Sequence, residues 1–332
     1  MLASCRPPGI FRTRLNVWLP LVALAATLLP AAVRPETLAV RTAHAHAELI
    51  PGVTSLSPRD SFTVALRLRP DSGWHVYWSN PGDAGMPPTL TWTLPREWTA
   101  DPLRFPLPAL QETPPFASFG YEEEVWYPAK VFAGGQDAGS RVVLRVRAEW
   151  LICREECLPE SADFTVTLDM GQTVPHPVNG ARLEKFALAR LPRPQPDWDW
   201  DVAYDDTTVT IAWDLGRSGN LFDPDADVFF FPEELGVLVH AAPQTLTLAG
   251  QHARLTMTRD DVLRTQPDTL RGVLVFGARE NEARHGYALA LADRPATETG
   301  SGRLSVVLTG LLVIAGLILI VALKRPHVGA SP

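Results

Sequence analysis

"RVVLRVRAEWLICREECLPESADFTVTLDM", Arg141–Met170, decides how this chain folds. Apolar residues recur at every second position on either side of "CREEC". That period of two marks half-buried strands, here one ending near Ile152 and one running from Ala162 to Met170. Between them stand Cys153 and Cys157. Four steps of extended chain span about 13 Å. The Cα atoms of a disulfide lie roughly 4.4–6.8 Å apart. A bond between these two therefore needs a turn or helical loop, and Pro159 interrupts the far side of it. Such a loop would stand at the end of a sheet.

The same alternation extends outward. "SFTVALRLRP" (61–70), "GWHVYWSN" (73–80), "TLTWTLP" (89–95) and "VWYPAKVF" (125–132) all read as strands. "NPGDAGMPP" (80–88) supplies a turn. About eight strands over ~120 residues predict an all-β protein whose residues 47–170 form an immunoglobulin-like β-sandwich. Residues 171–197 are proline-framed with a short helical piece near 180–190, and read as a linker. A second, cysteine-free β-rich unit is expected over 198–293, with strands in "DVAYDDTTVTIAWDLG", "DADVFFFPEE", "LGVLVHAAPQTLTLAG", "HARLTMTR", "RGVLVFGAR" and "HGYALALA". Residues 294–303 read as a tether.

Two apolar segments bracket these units. Residues 1–46 hold a basic stretch followed by "LNVWLPLVALAATLLPAAV" (15–33), the pattern of an export signal or an N-terminal anchor. "LSVVLTGLLVIAGLILIVAL" (304–323) carries no charge and is long enough to span a bilayer at ~1.5 Å per residue. Lys324 and Arg325 follow it, which places the 324–332 tail on the cytoplasmic side and the bulk of the chain outside. The expected location is thus the inner membrane, single-pass, with the folded units periplasmic. In that oxidising compartment cysteines pair. The third, Cys5, precedes the apolar segment.

The net charge of −7 and the absence of a basic face argue against a nucleic-acid partner. With 46% hydrophobic and 20% charged residues the chain can bury real cores. Serine-hydrolase, zinc-protease, phosphate-loop and dinucleotide motifs are missing. Chemistry therefore concentrates on Cys153 and Cys157. Closing a five-residue ring stabilises a fold by only about 2 kcal/mol, a weak staple. A pair so close in sequence suits opening and closing. Arg154 favours a thiolate, whereas Glu149, Glu155, Glu156 and Glu160 oppose it, which points to a donor or relay rather than a strong oxidant. Zinc wants four ligands and CxxxC offers two. Cu(I) accepts two thiolates, and His44 and His46 could add to a copper site near a new N-terminus. Redox pair, inert disulfide and metal-binding pair all stay open on these residues. No metal or cofactor is expected for the first reading. His75 reads as a strand residue.

At "WLICREECLPE" the chain resembles the N-terminal periplasmic domain of the thiol:disulfide interchange reductase (DsbD) family, with closest similarity to the ScsB-like branch linked to suppression of copper sensitivity. "HAELI" (46–50), "GWHVYWSNPGDAGMPPTLTWTLP" (73–95) and "FGYEEEV" (119–125) share the pattern. "FFPEELGVLVHAAPQ" (230–244) and "LRGVLVF" (270–276) look like that branch's second domain. The resemblance implies that Cys153 and Cys157 shuttle electrons to exported thioredoxin-like partners, with Cys157 attacking and Cys153 resolving. It also implies a cap loop whose aromatic shields the pair: Phe119 first, Phe116 second, with Tyr77 nearby. Family members continue into a polytopic membrane domain and a thioredoxin-like domain. Neither follows here, so a separate membrane protein is the expected electron donor. The runner-up is a non-catalytic partner-binding or copper-handling module whose CxxxC is structural or holds Cu(I).

Overall fold

The computed structural model describes residues 38–214, 227–277 and 284–292. Among the described residues the fold is all-β apart from one short helix and a 3₁₀ turn. The first unit contains Ala39–Arg41 (β1), Ala45–Pro51 (β2), Val53–Leu56 (β3), Ser61–Pro70 (β4), Val76–Gly82 (β5), Thr89–Thr93 (β6) and Thr99–Ala100 (β7). It continues with Ala109–Thr113 (β8), Phe116–Tyr121 (β9), Val125–Phe132 (β10), Arg141–Cys153 (β11), Cys157–Met170 (β12) and Val174–Pro175 (β13). The second unit contains Asp199–Tyr204 (β14), Thr208–Asp214 (β15), Val228–Pro232 (β16), Thr245–Ala249 (β17), His252–Thr258 (β18), Thr269–Phe276 (β19) and His285–Ala292 (β20).

Two five-stranded sheets, β1-β2-β4-β10-β7 and β13-β3-β12-β11-β6, enclose the first core. Leu49, Leu66 and Tyr127 come from one sheet, and Leu144, Val146 and Phe164 from the other. The alternation of β11 explains this directly: Val142, Leu144, Val146, Ala148 and Trp150 are buried, and Arg145, Arg147 and Glu149 face water. Charge pairs lie opposite one another on the outer face of the β11–β12 ladder. Arg141 bonds Asp169 at 2.9 Å and Arg147 bonds Asp163 at 3.3 Å, each with its register partner. Such exposed pairs contribute well under about 1 kcal/mol each, but they agree with the register.

A third small sheet, β5-β9-β8, stands beside this sandwich. In the second unit, sheets β14-β15-β18-β17 and β16-β19-β20 enclose a core containing Trp213, Phe230, Leu255 and Leu274. Within sheet β16-β19-β20, strand β16 and most of β19 are buried on both faces. Phe230 and Leu274 face that core, while Phe229, Phe231, Val273 and Val275 pack against Trp78 and Phe119 of the first unit. This explains why "VFFF" and "VLVF" are continuously apolar instead of alternating.

Several boundaries differ from the sequence expectation. The first unit already includes β1, paired to β2 through Ala39↔Glu48 and Arg41↔His46, ahead of residue 47. Residues 171–197 are packed and do not behave as a free linker. β13 joins β3, and the helix Asn179–Phe186 (α1) buries Leu183 beside Ala187, Ile50 and Trp126. "LGVLVH" (235–240) forms a turn, because Gly236 adopts φ +72 and leaves no space for a Cβ beside Leu263. Among the described residues no helix is long and apolar enough to cross a membrane. The segments expected as an export signal (15–33) and as a membrane span (304–323) lie outside the described residues.

Candidate functional site

The turn that Cys153 and Cys157 require is the tip of the β11–β12 hairpin. The two cysteines are direct register partners, Cα–Cα 4.1 Å, joined by a disulfide and by the loop Arg154-Glu155-Glu156. The ladder beneath them runs from Arg141↔Asp169 to Ile152↔Leu158, so the strands are held together without the sulfurs. The two cysteines differ in exposure. Cys153 is 3% exposed at the edge of the core, whereas Cys157 is exposed. An incoming thiol or disulfide can reach only the second.

His75 lies directly alongside. Its backbone N–H donates to the Cys153 carbonyl at 2.9 Å, and the Cys153 N–H returns a bond to the His75 carbonyl at 3.0 Å. This bridge anchors the buried cysteine from outside its own hairpin. The imidazole Nε2 lies 3.1 Å from the Tyr77 hydroxyl, and that hydroxyl lies 3.7 Å from Sγ of Cys157. His75, Tyr77 and Cys157 thus form a hydrogen-bonded row ending on the exposed sulfur. A single hydroxyl proton serves one acceptor. When it points at sulfur, His75 Nε2–H donates to the tyrosine oxygen.

Burial sets the protonation of both groups. It lowers the His75 imidazole below its usual range, with Glu122 pulling the other way, so the ring favours the neutral form. It pushes the Tyr77 phenol up to about 12, which keeps the hydroxyl a donor throughout the physiological range.

The hairpin loop is held from the opposite direction. The Arg154 guanidinium lies 5.1 Å from the Trp74 ring centre, and His44 stacks on the same indole at 3.9 Å. Glu160, expected to oppose a thiolate, accepts from the His44 N–H at 2.8 Å and the Thr42 hydroxyl at 2.5 Å. Glu149 pairs with Arg147 at 3.3 Å. Glu155 and Glu156 are the exposed carboxylates of the loop itself. Among the described residues no group of three or more His, Cys, Asp or Glu side chains is placed to hold a metal ion.

The three aromatic residues expected around the pair separate. Tyr77 is at the exposed sulfur. Phe119, 1% exposed, lies in the cluster between the units, its ring 5.0 Å from those of Phe231 and His240. Phe116, 59% exposed, starts β9 after the Pro114–Pro115 turn of the β8–β9 hairpin. His75 was missed as a site residue, although it stands two positions from Tyr77, the spacing that puts two strand residues on one face.

The sequence profile described as "Thiol:disulfide interchange protein DsbD, N-terminal" matches residues 47–169. Residues 47–169 form a DsbD-family N-terminal domain. The fold is similar to the crystal structure of the N-terminal periplasmic domain of ScsB from Proteus mirabilis. That likeness has TM-score 0.54 and 17% identity, and covers 77% of this chain and 98% of that one. It extends beyond the family match and therefore into the second unit. No curated protein sequence matches the chain. The DsbD family is one of thiol:disulfide interchange, and the disulfide Cys153–Cys157 lies inside the matched segment.

Proposed function

We propose that this protein relays electrons to exported thioredoxin-like partners through Cys153 and Cys157. The observation that carries the proposal is the asymmetry of the pair: Cys157 is exposed and touched by a hydroxyl donor, and Cys153 is buried. In the reduced protein the Cys157 thiolate attacks one sulfur of a partner disulfide. A mixed disulfide forms and the partner's other sulfur leaves as a thiolate, taking up a proton. Cys153, having lost its proton, then attacks Cys157 Sγ. The Cys153–Cys157 bond closes and the partner's second thiol is released. Two electrons and two protons pass to the partner, and a separate membrane reductase restores the pair. The first unit would be an immunoglobulin-like sandwich held in the periplasm by the apolar segment 304–323. Tyr77 is the shielding side chain nearest the sulfur, and the exposed Phe116 is available to a docking partner. No cofactor enters the exchange.

Two measurements test this. Cys153→Ser should trap mixed disulfides through Cys157, seen as adducts that dithiothreitol dissolves. Titration of the purified protein against glutathione should give a reversible couple near the roughly −200 to −270 mV range of exchange proteins. A bond that stays closed well below about −300 mV, or whose opening unfolds the domain, would show a structural disulfide and leave a partner-binding module.

A further inference from the structure

We infer that the cysteine-free second unit is a positioning element of the redox site, acting through an Asp83–His240 contact that fixes the chain segment on which Tyr77 rests. The inference rests on the redox reading of the pair.

Three links carry it. The first joins the sulfur to the segment Asn80–Gly85. Gly85 adopts φ +114 with its backbone flush against Tyr77: a Cβ there would lie 2.2 Å from the ring's Cε1. Tyr77 is 1% exposed, and its hydroxyl reaches Cys157. Where this segment sits therefore decides where the hydroxyl points.

The second link joins the segment to the second unit. Asp83 Oδ1 lies 2.8 Å from His240 Nδ1, and its Oδ2 accepts from the Ala117 N–H at 2.8 Å. The Asn80 side-chain amide donates to the Pro232 carbonyl at 2.8 Å, while its oxygen accepts from the Gly82 N–H at 3.0 Å. Asn80 is buried, so without Pro232 its amide would lose a partner at real cost.

The third link makes the contact rigid. His240 is 8% exposed, its ring 5.0 Å from Phe119. Phe119 and Trp78 pack on Phe231 at 5.0 and 6.2 Å between ring centres. Its other nitrogen, Nε2, is buried with no hydrogen-bond partner among the described residues. His240 thus makes one directed bond, and that bond goes to Asp83.

That orphaned nitrogen makes a clean test possible. His240→Phe keeps the ring packing, removes an unsatisfied buried atom and deletes the bond to Asp83. Stability should hardly change, while control of the segment is lost. His240→Asn places an amide N–H close to where Nδ1 stood and should restore the bond. Both variants are made in the full chain carrying Cys153→Ser. The rate of Cys157 alkylation by iodoacetamide is then followed against pH. The midpoint reports the thiolate and the plateau reports access.

His240→Phe should raise the midpoint and slow alkylation at pH 7 about twofold, since the loss of thiolate from one weakened hydrogen bond is partly offset by the higher nucleophilicity of a more basic thiolate. His240→Asn should follow the parent. If both variants titrate with the parent while the parent still captures partner disulfides, the inference is overturned and the redox reading stands. If the parent captures none, both fall.

Discussion

Tyr77 has one hydroxyl proton and two neighbours, His75 Nε2 at 3.1 Å and Cys157 Sγ at 3.7 Å. In the disulfide the sulfur is a weak acceptor. Once the pair is reduced, the thiolate form of Cys157 carries charge, and hydrogen bonds to charged groups are worth about 1.5–3 kcal/mol. At this long distance about 1.4 kcal/mol is a reasonable share, equivalent to one pH unit on the thiol. Tyr77→Phe should therefore raise the Cys157 midpoint by about one unit and leave roughly tenfold less thiolate at neutral pH. A more basic thiolate is intrinsically about threefold more nucleophilic, so exchange with a disulfide should slow only about threefold. Stopped-flow exchange and a pH profile of alkylation would measure the two effects separately. An unmoved midpoint would mean that the hydroxyl serves His75 alone.

At the scale of the hairpin, the cysteines decorate a ladder that already closes itself. The strands pair from Arg141↔Asp169 up to Ile152↔Leu158, with Arg147 facing Asp163 across the outer face. Breaking the sulfur bond removes the entropy restraint of a five-residue ring, about 2 kcal/mol, and no strand pairing. The reduced protein should melt only about 4–8 °C below the oxidised one, with its far-ultraviolet circular dichroism unchanged. A collapse of the strand signal on reduction would make the bond structural. Alternation over Arg141–Ile152 and Ala162–Met170 foretold these strands, because one face is core and the other water. Disulfide geometry, separately, excluded an extended run between bonded cysteines. Which turn joined them was hidden, because "REE" obeys no strong turn rule. "LGVLVH" misled in the opposite sense: its apolar residues Val237 and Leu238 are buried by a turn. The His75 bridge to Cys153 is a contact between strands far apart in sequence, and periodicity says nothing about which strand ends meet.

At the scale of the whole molecule, the two units are joined by a shared apolar cluster. "VFFF" and "VLVF" were legible as strands, but the reason both their faces are apolar lies in Trp78 and Phe119, more than a hundred residues away. Phe231 is fully buried and sits at the centre of that contact, with ring centroids 5.0 Å from Phe119, 6.2 Å from Trp78 and 4.6 Å from Phe229. Its neighbour Phe230 faces the opposite way, into the second unit's own core. Phe231→Ala therefore empties the junction without hollowing either sandwich. A buried phenylalanine cut to alanine costs roughly 3–5 kcal/mol. If that energy is what couples the units, the parent should unfold calorimetrically in a single transition. The variant should then show two, because each unit keeps its own core. Phe230→Ala, one residue away, should lower only the transition of the second unit. A single transition merely shifted downward in Phe231→Ala would place the coupling elsewhere, in α1 and the packed 171–197 segment. There the Arg193 N–H donates to the Gly286 carbonyl at 2.9 Å, and the Ala288 N–H donates to the Arg193 carbonyl at 2.9 Å.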